Sequence, residues 1–199
     1  RDAFGFDASI AVNLPSRLFE QRDLVDKIQA ILQRQEVEPR SIELEITETG
    51  LMKDLQGVVP SLRQLNLLGT EISIDDFGTG YSSLSYLTSL PISELKIDRS
   101  FVQDLGNTPQ SGAVVSAIIA LARALGLRVI AEGVENVTQM EVLYNLGCHI
   151  CQGYLFARPM PAAQVEQWVQ DTLGNRALPR IDVDVGQSLP QLGPARTGH

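Results

Sequence analysis

Glu45, Glu48, Asp75, Asp76 and Glu132 are five carboxylates that fall in or just after expected β-strands, together with the amides of Asn13 and Gln152 and the amine of Lys96. Gathering so many anions is unfavourable unless something positive lies between them. An oxygen-rich donor set with an amide carbonyl suits magnesium or manganese, not zinc. Two such ions roughly 3.5–4 Å apart, bridged by a carboxylate, can activate a water and stabilise the leaving oxygen of a phosphate ester. Lys96 adds the cation that a phosphoryl transition state would welcome. Any one of these acids alone reads more naturally as a solvated loop residue. That reading weakens when all of them lie on consecutive strands.

A second pair of reactive side chains, Cys148 and Cys151, has C-x-x-C spacing. Redox pairs of this kind usually sit at a helix N-terminus, where the dipole favours a thiolate. Here Gly147 reads as a helix C-cap and the residues after it read as a strand. Zinc would want four ligands, and His149 is the only histidine nearby. A structural role is the preferred reading of both cysteines.

The elements that must position these groups alternate. Strands are expected at Ile10–Leu14, Ile42–Thr47, Ile72–Asp76, Leu95–Asp98, Arg128–Ala131 and Cys151–Phe156. Between them, Leu24, Val25, Ile28, Ile31 and Leu32 mark one helical face, and Val58, Leu62, Leu65 and Leu68 mark a second that Pro60 interrupts. Val114, Val115, Ile118, Ile119, Ala122 and Leu125 form a long helix that Gly126 can stop. Asn136 and Gln139 make a capping box for the helix with Met140, Leu143 and Leu146. A last helix carries Val165, Trp168, Val169 and Leu173, with Gly174 placed to end it. This alternation means a parallel sheet with covering helices, either an open doubly wound sheet or a (β/α)₈ barrel. The polar residues fall at the ends of different strands, which a barrel gathers into one ring. An open sheet would leave several far from its switch point. The barrel is favoured, with about six of its eight strands in the chain.

The chain has 199 residues, 44% hydrophobic and 20% charged, with net charge −8. That fits one globular domain and excludes a protein that coats DNA or RNA polymers through a broad basic surface. No apolar run is long enough to span a membrane, no signal peptide is visible, and two cysteines fit a reducing cytoplasm. The first residue is Arg1 and not Met, so a start further upstream is expected. Residues 174–199 carry Pro and Gly without apolar periodicity and are expected to be a disordered tail, leaving 1–173 as the domain.

The segments Glu43-Leu-Glu-Ile-Thr-Glu48, Asp75-Asp-Phe-Gly-Thr-Gly-Tyr-Ser-Ser-Leu84, Leu95-Lys-Ile-Asp-Arg-Ser-Phe101, Ala131-Glu-Gly-Val-Glu135 and Gln152-Gly-Tyr-Leu-Phe156 resemble the EAL-type cyclic-di-GMP phosphodiesterases. The likeness runs from about Ile10 to Trp168 in the family's order. It implies a modified TIM (β/α)₈ barrel of the α/β class, and hydrolysis of the bacterial messenger cyclic-di-GMP to linear pGpG with two Mg²⁺ or Mn²⁺ ions. By resemblance, Asn13, Glu45, Asp75 and Asp76 match metal ligands, with Asp75 bridging. Glu132 matches a metal ligand or general base, Lys96 a contact to the water and phosphate, and Gln152 a support of that network. Glu48 matches the glutamate that holds the loop Phe77–Leu84, in which Gly78 and Gly80 also have a purely steric reading; Glu135 is grouped with these supporting residues. The resemblance further implies a homodimer in the complete domain and an upstream sensor or GGDEF-type domain in a longer parent.

The chain also departs from the family. No Glu-Ala-Leu occurs in it, and the usual Asn-x-Ser is Asn13-Leu-Pro15. These departures imply a domain lacking its N-terminal quarter, with little activity as this chain alone. Two other readings stay open: an inactive module that binds cyclic-di-GMP or a protein partner, and an unrelated metal-dependent barrel hydrolase.

Overall fold

The computed structural model describes residues 9–80, 86–107 and 111–175. Six strands, β1 (Ile10–Asn13), β2 (Ile42–Thr47), β3 (Glu71–Phe77), β4 (Glu94–Ile97), β5 (Arg128–Ala131) and β6 (Ile150–Cys151), form one sheet. Every neighbouring pair is parallel, and the order across the sheet is the order along the chain. With no reversal of order, the described residues contain no switch point of the open doubly wound kind. The sheet is the curled wall of a half-barrel. Its helices are α1 (Leu24–Arg34), α2 (Glu48–Met52), α3 (Leu55–Leu68), α4 (Arg99–Gln103), α5 (Ser111–Leu125), α6 (Val137–Leu146) and α7 (Ala162–Asn175).

Strand alternation sorts the side chains into two layers. Leu44, Ile46, Ile72, Ile74, Leu95, Ile97 and Ala131 form one core with Leu62 and Leu65 of α3, Val115, Ile119 and Ala122 of α5, and Met140 and Leu143 of α6. The residues between them, Glu43, Glu45, Ser73, Glu94 and Lys96, face the other way and are buried as well. The inner wall is therefore polar. Its outer strands differ from the middle ones, since β1 is exposed along its whole length and Ile10 is 66% exposed.

Local signals set most boundaries. Asn136 and Gln139 form the reciprocal capping box, and Gly126 and Gly147 take the left-handed conformation just beyond α5 and α6. Pro60 lies inside α3, whose start is fixed by Asp54 accepting a hydrogen bond from the Gly57 amide. Two expectations need correction. The last strand does not run from Cys151 to Phe156; it ends at Cys151. There the Val134 amide donates to the Gln152 carbonyl and the Leu155 amide to the Val134 carbonyl, so a Cβ on Gly153 would sit 2.2 Å from the Val134 oxygen. This close approach turns the chain, and only glycine allows it. The last helix runs through Gly174 to Asn175 rather than stopping before it. Residues 176–199 lie outside the described residues, as does the assignment of a disordered tail to them.

The floor of the polar wall holds a group that pattern alone did not single out. Glu94, 2% exposed, hydrogen-bonds Glu43 and pairs with Arg128 at 3.1 Å, and Arg128 also pairs with Glu71. Burial, then the neighbouring Glu43, raises Glu94 from 4.5 to about 7 against the pull of Arg128. The buried Oε1 atoms of Glu43 and Glu94 have no donor in the described residues, so a proton on one carboxyl is what joins them. Because the folded state holds that proton above the unfolded value, the contribution of Glu94 to stability is greatest below pH 4.5, falls as pH rises to about 7, and is level above it. Glu94→Gln is expected to be more stable than the parent at pH 8, by up to about 3 kcal/mol, and equal to it near pH 4. Urea denaturation at the two pH values checks this, and a variant less stable at pH 8 would contradict it.

Candidate active site

The acidic rim begins with an irregularity in β3. Ile74 pairs with Leu95 and Phe77 with Ile97, so Asp75 and Asp76 together oppose the single residue Lys96. An extra residue of this kind is a β-bulge, which re-aims a side chain that regular alternation would send to the opposite face. Asp76 takes a positive φ of 54°, unusual for a residue other than glycine, and its amide donates to Asp75 Oδ1 at 2.9 Å. Asp75, Asp76 and Glu132 each bring a carboxylate oxygen to within 4.8 Å of the others. Glu132 follows directly on β5, its amide donating to the Ile97 carbonyl at 3.1 Å.

Lys96 is the cation of the cluster, with its side chain 4% exposed. Its Nζ donates to Glu45, lies 2.6 Å from Glu132 Oε1, and stands 4.0 Å from Asp75 Oδ1. Burial works against its charge, yet the hydrogen bonds and charges of Glu132 and Glu45 outweigh burial and hold it above the ordinary lysine value. Lys96 is therefore a fixed ammonium at neutral pH. Burial raises Glu132, with Asp75 and Glu45 adding to the rise against the opposing pull of Lys96. Asp76 is raised by burial first and by Asp75 and Asp98 next. These directions are those of an anionic cluster short of positive charge.

The structure does not bring every expected residue to one point. Glu45 is engaged by Lys96, and Asn13 ends the exposed edge strand in register with Glu45. Gln152 is exposed just beyond β6, held through its backbone between Ala131 and Val134. Glu135 is also exposed, and its amide donates to the Gln139 side chain at the start of α6. A carboxylate without an assigned role does join the rim. Asp98 hydrogen-bonds Asp76 and caps α4 by accepting from the Ser100 amide at 3.0 Å. Its signal in the sequence was the two-residue step from Lys96.

Glu48 is fully buried at the start of α2, where Thr47 accepts a hydrogen bond from the Gly50 amide. Its Oε2 accepts from the Gly78 amide at 2.9 Å, two residues beyond Asp76. Gly78 has φ 98°, and a Cβ there would approach Phe101 to 3.0 Å, while one on Gly80 would approach Glu48 to 3.3 Å. Both glycines thus let the chain pass closely over neighbouring side chains, the partly buried Phe101 and the buried Glu48. Tyr81–Leu84, the rest of the expected loop, lies outside the described residues. Glu48→Ala is expected to weaken divalent-metal affinity about 10–100-fold, as loss of a residue supporting a ligand does. Activity lost at low metal should return in part as Mg²⁺ is raised. Unaltered metal affinity, measured by titration calorimetry, would assign Glu48 another role.

The EAL domain family model matches residues 1–159. The chain is 50% identical over 159 residues to the bifunctional diguanylate cyclase/cyclic di-GMP phosphodiesterase MucR of Pseudomonas aeruginosa, covering 80% of this chain and 23% of MucR. Among solved structures, the PaMucR phosphodiesterase in its c-di-GMP complex superposes with a TM-score of 0.78 at 49% identity, covering 82% of this chain and 66% of that one. Klebsiella pneumoniae BlrP1 in a manganese and c-di-GMP complex gives 0.72 at 32% identity, covering 77% and 39%. With the paired aspartates, buried lysine and ordered parallel half-barrel already in place, these matches make the chain a member of the EAL domain family.

Proposed function

We propose that this site hydrolyses cyclic-di-GMP to linear pGpG with two divalent cations, Mg²⁺ or Mn²⁺. The observation that carries this reading is the convergence of Asp75, Asp76 and Glu132 on one side of the buried ammonium of Lys96. These three donors are hard oxygens in a cluster short of positive charge, so they fit a divalent cation. Asp75, Asp76 and Glu132 would hold it, with Glu45 and Asn13 on the adjoining strands. Bound there, the cations supply Lewis-acid polarisation of the phosphate and a nucleophilic water at neutral pH.

This chain's own residues do the rest. Lys96 remains protonated and so serves as a fixed positive charge toward the phosphate rather than as a proton acceptor. Glu132 is the group suited to take a proton, since burial, together with Asp75 and Glu45, raises it against the pull of Lys96, whose Nζ lies 2.6 Å from its Oε1. Asp98 and Glu48 fix the segment that carries Asp75 and Asp76 from its two sides. The names of the relatives point the same way, although the chain spans only 23% of MucR.

The test is to incubate the full-length protein with cyclic-di-GMP and Mn²⁺ and identify the nucleotides by mass. Linear pGpG formed in proportion to the substrate lost supports the reading. Cyclic-di-GMP bound and recovered unaltered would make the chain a binding module instead.

A further inference from the structure

We propose that Tyr154 and Arg158, on the turn after β6, form a platform on which a guanine base of the nucleotide stacks. The proposal rests on the reading of the acidic rim as a cyclic-di-GMP site. The turn is laced to the segment that carries Glu132. The Gln152 amide donates to the Ala131 carbonyl at 2.8 Å, the Val134 amide to the Gln152 carbonyl at 3.0 Å, and the Leu155 amide to the Val134 carbonyl at 3.0 Å. Tyr154 lies between Gln152 and Leu155, so it stands on the loop beside Glu132, whose carboxylate meets those of Asp75 and Asp76. The Phe156 and Ala157 amides donate to the Gly153 carbonyl at 3.1 and 3.3 Å, and this turn returns Arg158 to Tyr154. The guanidinium lies over the tyrosine ring, its Cζ 4.6 Å from the ring centre.

Core packing does not account for this pair. Tyr154 is 50% exposed and stands apart from the residues packed on the core. Arg158 is exposed too, and among the described residues no carboxylate pairs with it, although the rim beside it is acidic. A guanidinium held on an aromatic face keeps its charge, a planar outer face and its edge donors available. Guanine offers a partner to each. Its π-face stacks on aromatic rings and on guanidinium planes, and its N7 and O6 acceptors suit the paired donors of an arginine. A nucleotide whose phosphate is held at Asp75, Asp76 and Glu132 spreads its bases over the adjoining loops, and the turn after β6 is one of them. Uracil has a smaller face and lacks the N7 and O6 pair, so the platform favours guanine over uracil.

Binding of linear pGpG to the full-length protein in Mn²⁺ tests this without turnover, with pUpU as the probe that keeps the phosphates and changes the bases. Titration calorimetry is expected to give pGpG an advantage over pUpU of about 10-fold. Tyr154→Ala and Arg158→Ala should each remove most of that advantage, with the affinities for pUpU and for Mn²⁺ close to the parent's. Tyr154→Phe should keep it, because the ring remains. Arg158→Lys should not, because an ammonium has no plane to stack. An equal loss of pGpG and pUpU in Arg158→Ala would make Arg158 a phosphate contact and overturn the platform. So would unchanged pGpG affinity in Tyr154→Ala, or a parent protein that does not favour pGpG. A protein that prefers pGpG through these residues yet leaves cyclic-di-GMP intact would uphold the platform and reject the hydrolysis instead.

Discussion

Asp75→Asn is expected to lower cyclic-di-GMP hydrolysis by at least about 10³-fold in the full-length protein while leaving its thermal transition in place. The amide has nearly the shape of the carboxylate and can still accept from the Asp76 amide, as Asp75 Oδ1 does at 2.9 Å. What it removes is the negative charge shared with Asp76 and Glu132 within the 4.8 Å cluster. A loss confined to activity and metal affinity follows from that. Turnover within a few-fold of the parent would reject Asp75 as a metal-binding group.

Lys96→Met should have the largest effect on folding. Lys96 is 3% exposed and is shared by Glu45 and Glu132, so methionine leaves the buried Glu45 and the half-buried Glu132 without their partner. Removing one member of a buried ion pair costs about 3–5 kcal/mol, mostly because the other charge stays in the interior. Added Mn²⁺ should recover part of that loss, because a bound cation restores positive charge to the same carboxylates. Urea denaturation with and without Mn²⁺ measures both effects. A loss below about 1 kcal/mol would mean that the network is open to water and that Lys96 is not fixed by it.

Much of this arrangement was legible from residue order. Short apolar, β-branched runs located the six strands within a residue or two, except at β6. Helical faces and the Asn136–Gln139 capping box located α5 and α6. Acids at the ends of consecutive strands pointed to one rim, and Asp75, Asp76 and Glu132 do meet there. The bulge at Asp75 and Asp76 was not legible, because the left-handed residue is an aspartate and no glycine marks it. Nor was the pairing of Glu43 with Glu94. In one dimension an acid between two apolar residues looks like the solvated face of a strand, and only closure of the wall shows that both faces are buried. The end of β6 was misplaced for a related reason. Tyr154, Leu155 and Phe156 have strand character, but the Val134 backbone lies against Gly153 and turns the chain aside.

The central claim is that the bulge of β3 and the start of the segment after β5 build a seat for divalent cations. Diffraction at the manganese absorption edge, from crystals of the protein grown with Mn²⁺ and cyclic-di-GMP, tests it most directly. The account predicts anomalous density bounded by Asp75, Asp76 and Glu132, with the phosphate of the nucleotide against it and on the side of Lys96. Manganese seated elsewhere, or nucleotide bound with no anomalous density between those three carboxylates, would contradict it.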